Sequence, residues 1–499
     1  MVGLTLIGIV ARLWLLRHAI SEANSDDFYV GLQAIAIRDG DRPILVRGVG
    51  YGAVVDSYLL APIYSFGHLP ITFLKFVTSF WWAIAAVVTT MVSRRLTRLS
   101  SNVADETYLI AGALIWITPG SLLVVSTRSL MAYGLLFLGI AVTQYVAIRS
   151  IETGGTATGW SVLLGISAGL TFFFHPITLA AIVPILLITT FRARREFRTY
   201  WVPVTLGVIG SNLGFLAWNI KNSWLSLAVP PASDSYVDRL EGIFTGLLPR
   251  AFGFMDFDGE WTSGPLSKML YFLVLAIGLV GVTSLAQRGW VGVVIAFPAV
   301  FVWPTLAYLS SSSFVADGRY AVVGVSQFVL LVVAGLQVIS RFVHLGDGKR
   351  SRSLSSALPV LAAGVWVFVG GFLWLQGNSG SAVDDPNSRM RAVTTLLQVE
   401  DVEYAAGNFW HVLPVEYLSD GDIHVAVAGH PWGAHVEWRP NLPWAVFFPM
   451  RQIEIAGQPD EAVAFIFDAA DEQVSALRMP PDRYVRHAVG TSIVYIPLR

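Results

Sequence analysis

The sequence contains no cysteine and few charged residues. Among its 499 residues, Asp, Glu, Lys and Arg together make up 13%, about half of the roughly 25% usual in soluble domains. The absence of cysteine excludes disulfides, thiolate catalysis and Cys-based metal sites. Hydrophobic residues make up 54% of the sequence, and its mean hydropathy is +0.61. The composition therefore indicates a polytopic membrane protein whose nucleophiles are oxygen or nitrogen atoms.

The sequence also lacks an excess of either sign of charge. Its formal net charge is -1, so there is no global positive field to recruit nucleic acid, and no nucleic-acid partner is expected. Charged residues are nevertheless frequent in the first loop, residues 21–67, which lies between two apolar runs. This loop contains Asp26, Asp27, Asp39, Asp41, Asp56, Arg38, Arg42 and Arg47. Because ionisable groups near a bilayer are costly and usually mark a site, the first loop is the candidate functional region.

Apolar runs close to the roughly 20 residues that a helix needs to cross a bilayer follow one another along the chain. With the segment 2–16, which we interpret as an uncleaved first span, the sequence predicts eleven spans: 2–16, 71–93, 107–125, 129–148, 157–174, 176–191, 200–220, 268–287, 289–310, 320–341 and 357–376. Basic residues follow every even-numbered run, so those exits are predicted to be cytoplasmic. The first loop, the loop 221–267 and the C-terminal tail are then predicted to lie outside the cell membrane.

The predicted fold is an all-α polytopic membrane domain over residues 1–376, with about eleven transmembrane helices, followed by a small extracytoplasmic α/β domain over residues 377–499. In the tail, hydrophobic spacing predicts helices and short strands. The predicted helices are 387–399 and 471–477, and the predicted strands are 423–428, 463–467 and 492–496. The histidines of the tail lack metal-ligand spacing, so no zinc site is predicted there.

The residue types of the first loop favour one kind of chemistry. A carboxylate can take the proton of an attacking hydroxyl, and an arginine can hold a phosphate leaving group with paired hydrogen bonds. Transfer from a phosphorylated donor is therefore expected. The candidate phosphate ligands are Arg47, Arg128 and Arg319, for which anchoring to lipid headgroups is an equal alternative. Asp56 is a candidate to orient the acceptor or to pair with an arginine.

Two further features leave alternatives open. The loop 221–267 carries aromatics suited to sugar stacking, such as Tyr236 and Trp261, and is either a lid over the first loop or a loop packed on the outer surface. His175 precedes Pro176, which is placed to begin a helix. We interpret His175 as a turn residue, with a catalytic role as the alternative.

Several short motifs resemble those of the GT-C membrane glycosyltransferases, most closely the family 39 types that include protein O-mannosyltransferases and aminoarabinose transferases. The motifs are Asp26-Asp27-Phe28-Tyr29, Gly40 with Pro43, Gly50-Tyr51-Gly52, Tyr58-Leu59-Leu60-Ala61-Pro62, Leu216-Ala217-Trp218-Asn219-Ile220 and Asp317-Gly318-Arg319-Tyr320. They cover the membrane part, 1–376. The tail segment Phe409–Asp422 resembles bacterial members of unknown substrate.

This resemblance implies an inverting transfer from a polyprenyl-phosphate sugar to a glycan, lipid or protein acceptor, on the outer face of the cell membrane. Asp26 then takes the place of the acid in the family's Asp-Glu pair, and Asp27 that of the Glu. With Asp at both places, either is a candidate base. Tyr58 and Tyr320, within matching motifs, become candidate substrate-binding residues. No cofactor is required, although some such enzymes use a divalent metal.

Two competing interpretations remain. Asp26 or Ser25 could simply cap an amphipathic helix over Phe28–Ile37. A polytopic transporter or lipid flippase with a periplasmic domain would also use eleven spans. Against the transporter, the acids collect in an outer loop and paired broken helices are not obvious in the sequence.

Overall fold

The structure is a computed structural model that describes most of the chain. The described residues are 2–18, 20, 22–46, 51–99, 107–130, 132–224, 226, 234–310, 318–344, 349–378, 380, 383, 385, 387–407, 409–427, 462–469 and 481–498.

Long apolar helices form most of the chain. Among the described residues, six helices are long and apolar enough to cross a membrane: Ile71–Arg98, Tyr133–Glu152, Pro265–Ala286, Gly289–Leu309, Arg319–Phe342 and Ala357–Asn378. A seventh results if Phe197–Ser211 and Leu213–Lys221, which are bent by 54° at their junction, count as one span. The chain is thus built as an integral membrane protein. The predicted count of eleven spans is not confirmed.

The remaining apolar runs form shorter helices. In the predicted span 107–125, the helix Tyr108–Ile117 has only 10 residues and ends at Thr118, whose φ is 49°. Pro119 follows and cannot continue the helix, so the chain resumes as the five-residue helix Ser121–Val125. A helix of 10 residues is about 15 Å long, half the thickness of the hydrocarbon core. Length and apolar composition alone therefore overestimated this span.

Three further apolar helices are Val2–Leu15, Thr158–Phe174 and Leu179–Arg192. The spans named above overlap the α-helices Val202–Ser211, Leu213–Lys221, Val322–His344 and Lys349–Trp366, the last continued by Val367–Leu373 and Trp374–Asn378. Within the loop 221–267 lie Tyr236–Gly242, Ile243–Leu247 and Leu248–Ala251. The first loop contains Ser25–Arg38 and Val55–Tyr64, and the tail contains Ser388–Val399 and Phe409–Leu418.

The described chain divides into two compact units, each built from segments distant in sequence. The first unit comprises 1–15, 76–127 and 132–381, and the second comprises 16–75, 128–131 and 382–499. The first loop and the tail thus belong to the same unit. The domain boundary predicted after residue 376 stays a prediction, because compactness and independent folding are different properties.

A five-stranded mixed sheet forms the centre of the tail. Its strands are β1 (Tyr404–Gly407), β2 (His424–Val427), β3 (Val463–Asp468), β4 (Tyr484–Val489) and β5 (Ser492–Pro497), in the order β2-β1-β3-β5-β4. β1 runs parallel to β2 and β3, whereas β5 pairs antiparallel with β3 and β4. The small α/β character predicted for the tail is confirmed. The predicted helix 471–477 lies outside the described residues.

One hydrophobic core joins the tail to the first loop within the second unit. Met390, Val393, Val412 and Ile466 of the tail pack in the same buried cluster as Tyr29 of the first-loop helix, Ser25–Arg38. Since the members of such a cluster are removed from water together, the tail and the first-loop helix stabilise each other.

The close approach of these elements depends on a glycine. A Cβ atom added at Gly31 would clash with the ring of Tyr417 and would lie 2.8 Å from the hydroxyl of Tyr64. Only glycine lets the tail helix, Phe409–Leu418, come this near to the first-loop helix.

Candidate functional site

The first-loop helix begins with a capping box. Asn24 is its N-cap, with its side-chain oxygen accepting from the backbone N of Asp27 at 3.3 Å. In return, Asp27 Oδ2 accepts from the backbone N of Asn24 at 3.1 Å. This reciprocal pair satisfies two backbone donors that a helix start otherwise leaves open. The cap predicted at Ser25 or Asp26 is therefore wrong, and it lies one or two residues earlier.

The second oxygen of Asp27 holds a distant segment. The backbone N of Ser129 donates to Asp27 Oδ1 at 2.5 Å, and the Ser129 hydroxyl donates to the carbonyl of Leu74 at 2.6 Å. Asp27 is fully buried. Both of its carboxylate oxygens thus accept backbone hydrogen bonds, which gives this residue a structural task that the sequence did not reveal.

Asp26 lies in the same first turn and is also buried, with 4% of its surface exposed. Asp56 is buried in the first turn of the helix Val55–Tyr64. The next residue, Ser57, donates to the carbonyl of Val30 at 3.0 Å, so this helix is tied to the first-loop helix. The predicted acids Asp26, Asp27 and Asp56 therefore belong to two adjoining helix starts of one unit.

Cations lie beside these acids in the same unit. Arg128 directly precedes Ser129, and its Nε is buried without an acceptor among the described residues. Lys75 is buried and interacts electrostatically with Asp27, Arg128 and Glu22. Sequence reasoning missed Lys75, although a lone lysine within the apolar run 71–93 was a usable signal. Arg47 lies outside the described residues.

The other predicted residues are placed differently. Tyr58 is 39% exposed, and its hydroxyl donates to the carbonyl of Pro43 at 3.1 Å, closing the first loop on itself. Arg319 and Tyr320 belong to the first unit. There the ring centroid of Tyr320 is 6.0 Å from that of Tyr133, and the Arg319 guanidinium lies over the Tyr320 ring at 5.4 Å.

His175 lies beside Tyr133, Tyr320 and Arg319 in the first unit. It adopts an extended conformation between two helices, and its Nδ1 accepts from the backbone N of Ile177 at 3.1 Å. Its ring centroid is 5.6 Å from that of Tyr133, and it lies within the electrostatic field of Arg319. The predicted turn role is confirmed, with Pro176 at the start of the next helical segment.

The loop 221–267 is folded where it is described. Phe252 and Phe254 are buried, and the indoles of Trp366 and Trp374 donate to the carbonyls of Phe252 and Met255 at 3.1 and 2.9 Å. Its predicted position as a lid over the first loop stays a prediction.

Whether the protein uses a divalent metal stays a prediction. Within the described ranges, no group of three or more His, Asp or Glu side chains is arranged to hold a metal ion.

The sequence matches no protein-family model and no curated protein. The structure, by contrast, is similar to solved membrane transferases. It aligns with apo ArnT from Cupriavidus metallidurans at a TM-score of 0.61 and 12% identity, covering 99% of this chain and 97% of that chain. ArnT bound to undecaprenyl phosphate aligns with the same coverage at a TM-score of 0.55.

A second kind of transferase is also similar. The archaeal oligosaccharyltransferase AglB from Archaeoglobus fulgidus, in complex with an inhibitory peptide and a dolichol-phosphate, aligns at a TM-score of 0.53 and 14% identity, covering 100% of this chain and 74% of that chain. ArnT and AglB are both GT-C membrane glycosyltransferases. The resemblance predicted from the motifs is confirmed at the level of the fold, and the chain has the fold of the GT-C membrane glycosyltransferases.

Proposed function

We propose that this protein is an inverting glycosyltransferase that moves a sugar from a polyprenyl-phosphate donor to an acceptor hydroxyl at the outer face of the membrane. The observation that carries the proposal is the pair of buried carboxylates, Asp26 and Asp27, at the start of the first-loop helix. The fold shared with ArnT, whose structure was also solved with undecaprenyl phosphate, supports a lipid-phosphate donor.

The two carboxylates have different tasks in this proposal. Asp27 uses both oxygens to accept backbone hydrogen bonds from Asn24 and Ser129, so its carboxylate is committed to holding these two segments in place. We assign the role of the base to Asp26, which lies in the same turn and is buried, and the role of a positioning residue to Asp27.

The reaction balances with these groups. Asp26 takes the proton of the acceptor hydroxyl as its oxygen forms a bond to the anomeric carbon of the sugar. The bond from that carbon to the phosphate oxygen breaks, and its electron pair leaves with the polyprenyl phosphate. Arg128 and Lys75 would stabilise the negative charge on this leaving group. Asp56 would orient the acceptor, while Tyr58, Arg319, Tyr320 and Arg47 remain candidates for substrate binding.

Substitution of Asp26 tests the proposal. In protein reconstituted in nanodiscs, with polyprenyl-phosphate mannose, glucose, arabinose or aminoarabinose as donor and membrane glycolipid extract as acceptor, Asp26→Asn should lower turnover by roughly 10²–10⁴-fold. Donor binding and thermal stability should stay close to those of the unsubstituted protein. Asp41→Asn, in the turn after the helix, is the matched control and should keep full activity.

Asp27→Asn should instead lower stability, because it weakens hydrogen bonds between a charged acceptor and two backbone donors, each worth about 1.5–3 kcal/mol. Its thermal midpoint should fall together with its activity. Full turnover in Asp26→Asn would overturn the mechanism, and a normal thermal midpoint in Asp27→Asn would overturn the positioning role.

A further inference from the structure

A cavity of about 380 Å³ lies within the second unit, on the C-terminal half of the first-loop helix. Its walls come from that helix, from the end of the helix Val55–Tyr64 and from the tail helix with the turn that follows it. The volume falls in the range of roughly 300–1,000 Å³ typical of small-molecule sites. None of the residues predicted from the sequence as substrate ligands lines this cavity.

The cavity has an unused hydrogen-bond donor in its wall. Gln33 lines it and is 2% exposed, and its amide nitrogen has no acceptor within the described part of the chain. Its amide oxygen lies 3.5 Å from the hydroxyl oxygen of Ser57, which donates its proton to the carbonyl of Val30 at 3.0 Å. Leaving a buried donor unsatisfied costs about 1–3 kcal/mol. A ligand oxygen that accepts from Gln33 would remove this cost.

The charged groups of the cavity restrict the ligand further. Three carboxylates, those of Asp39, Glu416 and Asp420, line it together with the guanidinium of Arg38 and the imidazole of His68. Arg38 is paired with Asp39 at 2.7 Å, and His68 Nδ1 lies 2.9 Å from Asp420 Oδ1, so the carboxylates still outnumber the cationic groups. The surplus of negative charge disfavours phosphates and other anions. An ammonium group would suit the carboxylates but carries no acceptor for the Gln33 amide.

A hydroxyl group meets both requirements, because it accepts a hydrogen bond from an amide and donates one to a carboxylate. The apolar wall formed by Leu32, Ile35, Ala36 and Leu413 suits the C–H faces of a ligand that is rich in hydroxyls. Uncharged carbohydrate combines these properties.

The cavity is aligned with the proposed base. Asp26 and Gln33 are seven residues apart on one helix, which places them on the same face, about 10 Å apart along the axis. We propose that this cavity is a subsite for an uncharged saccharide, which would be a sugar unit of the acceptor remote from the reacting hydroxyl. Saccharide binding stands on the cavity alone, whereas its assignment to the acceptor rests on the proposed function.

Saturation-transfer NMR on the full chain in nanodiscs tests the proposal. The probes are methyl glycosides of mannose, glucose, galactose and arabinose, together with their disaccharides. At least one probe should bind, and Gln33→Met, which removes the amide donor at similar volume, should raise its Kd tenfold or more. Ala36→Phe, which fills the cavity from the same helix, should abolish binding.

The matched control variants are Gln398→Met and Ala392→Phe, on the exposed face of the helix Ser388–Val399. They make the same substitutions away from the cavity and should leave Kd unchanged. Asp26→Asn should also bind the probe normally, so loss of transfer and loss of saccharide binding are distinguishable. The proposal is overturned if no probe binds, if both cavity variants bind normally, or if inorganic phosphate displaces the saccharide.

Discussion

At the scale of single residues, the difference between Asp26 and Asp27 comes from their partners. Two carboxylates of the same type stand side by side in the sequence, yet Asp27 alone holds Asn24 and Ser129. Asp27 therefore has a structural task within this helical turn, and the role of general base proposed for Asp26 does not have to be shared with it.

Arg128 provides the residue-scale prediction. Its Nε is buried without an acceptor in the described ranges, and its neighbour Ser129 ties it to Asp27. Arg128→Gln should weaken binding of polyprenyl phosphate at least tenfold, because a neutral amide lacks the charge and the two-pronged geometry that a phosphate favours. Arg391→Gln, which removes an arginine that is 52% exposed in its side chain, should leave binding unchanged.

Quantitative binding of short-chain polyprenyl phosphate in nanodiscs measures the difference. Equal affinity in Arg128→Gln and Arg391→Gln would show that Arg128 does not contact the donor phosphate.

The sequence drew attention to the acids of the first loop because charge is rare in this chain and two acids stand at one helix start. It could not identify the partner of Asp27, since Ser129 lies 102 residues away and offers a backbone group that every residue carries. Gln33 was not singled out from the sequence because its unsatisfied amide nitrogen matters only where the residue lines a cavity. Such properties arise only from tertiary packing.

At the scale of elements, the tail helix is fastened to the first loop by a chain of hydroxyls. Tyr417 donates to the carbonyl of Leu69 at 2.6 Å, so the proton of the 2.6 Å bond between Tyr64 and Tyr417 comes from Tyr64. Burial raises the pKa of Tyr417 to about 12. Burial first, and then the neighbouring Tyr417, raise the pKa of Tyr64.

The hydrogen-bonded pair of Tyr64 and Tyr417 predicts that the free energy of unfolding decreases at strongly alkaline pH. An unfolded tyrosine titrates near pH 10, so above that pH the unfolded chain loses protons that the folded chain keeps. The thermal midpoint should therefore be steady below about pH 10 and fall up to about pH 12, the folded pKa of Tyr417. Tyr417→Phe should flatten this fall and cost about 1 kcal/mol per lost hydrogen bond at neutral pH.

Tyr308→Phe, which changes a tyrosine that is 74% exposed, is the control and should reproduce the original pH profile. A fall of the same steepness in Tyr417→Phe would mean that this pair does not control the alkaline transition.

Elements were predictable where the pattern was strong. Strands β3 and β5 consist mostly of buried apolar residues, and their predicted bounds differ from the observed ones by a single residue at the C-terminal end. β1 was missed because Tyr404–Gly407 offers only one large side chain, and its extended form depends on pairing with both β2 and β3. The tail helix was missed because Pro414 lies inside it, which normally argues against a helix.

At the scale of the whole molecule, the number of spans was the least predictable property. Hydropathy reflects composition alone, and the run 107–125 contains no charged residue. Thr118 and Gly120 nevertheless take positive φ values that divide it into two helices. The fold was nevertheless recognisable from motifs, because the placement of acids, aromatics and prolines around the first loop is more specific than the count of helices.

Membrane orientation gives the last prediction. The basic ends of three predicted spans lie together at one end of the first unit. Arg95 and Arg149 both pair with Glu152, at 2.9 and 2.5 Å. Arg288 donates to the carbonyl of Leu96, one residue from Arg95, at 2.9 Å. Basic residues gathered at one end are expected to face the cytoplasm. Alkaline phosphatase, which is active only outside the cytoplasm, should therefore be active when fused after Arg499.

The same reporter fused after Arg288 in a truncated chain should be inactive, because that exit is predicted to be cytoplasmic. Immunoblotting of both fusions checks that they accumulate equally. Activity after Arg288 together with silence after Arg499 would invert the orientation, and Asp26 would then face the cytoplasm, where a transfer reaction at the outer face is impossible.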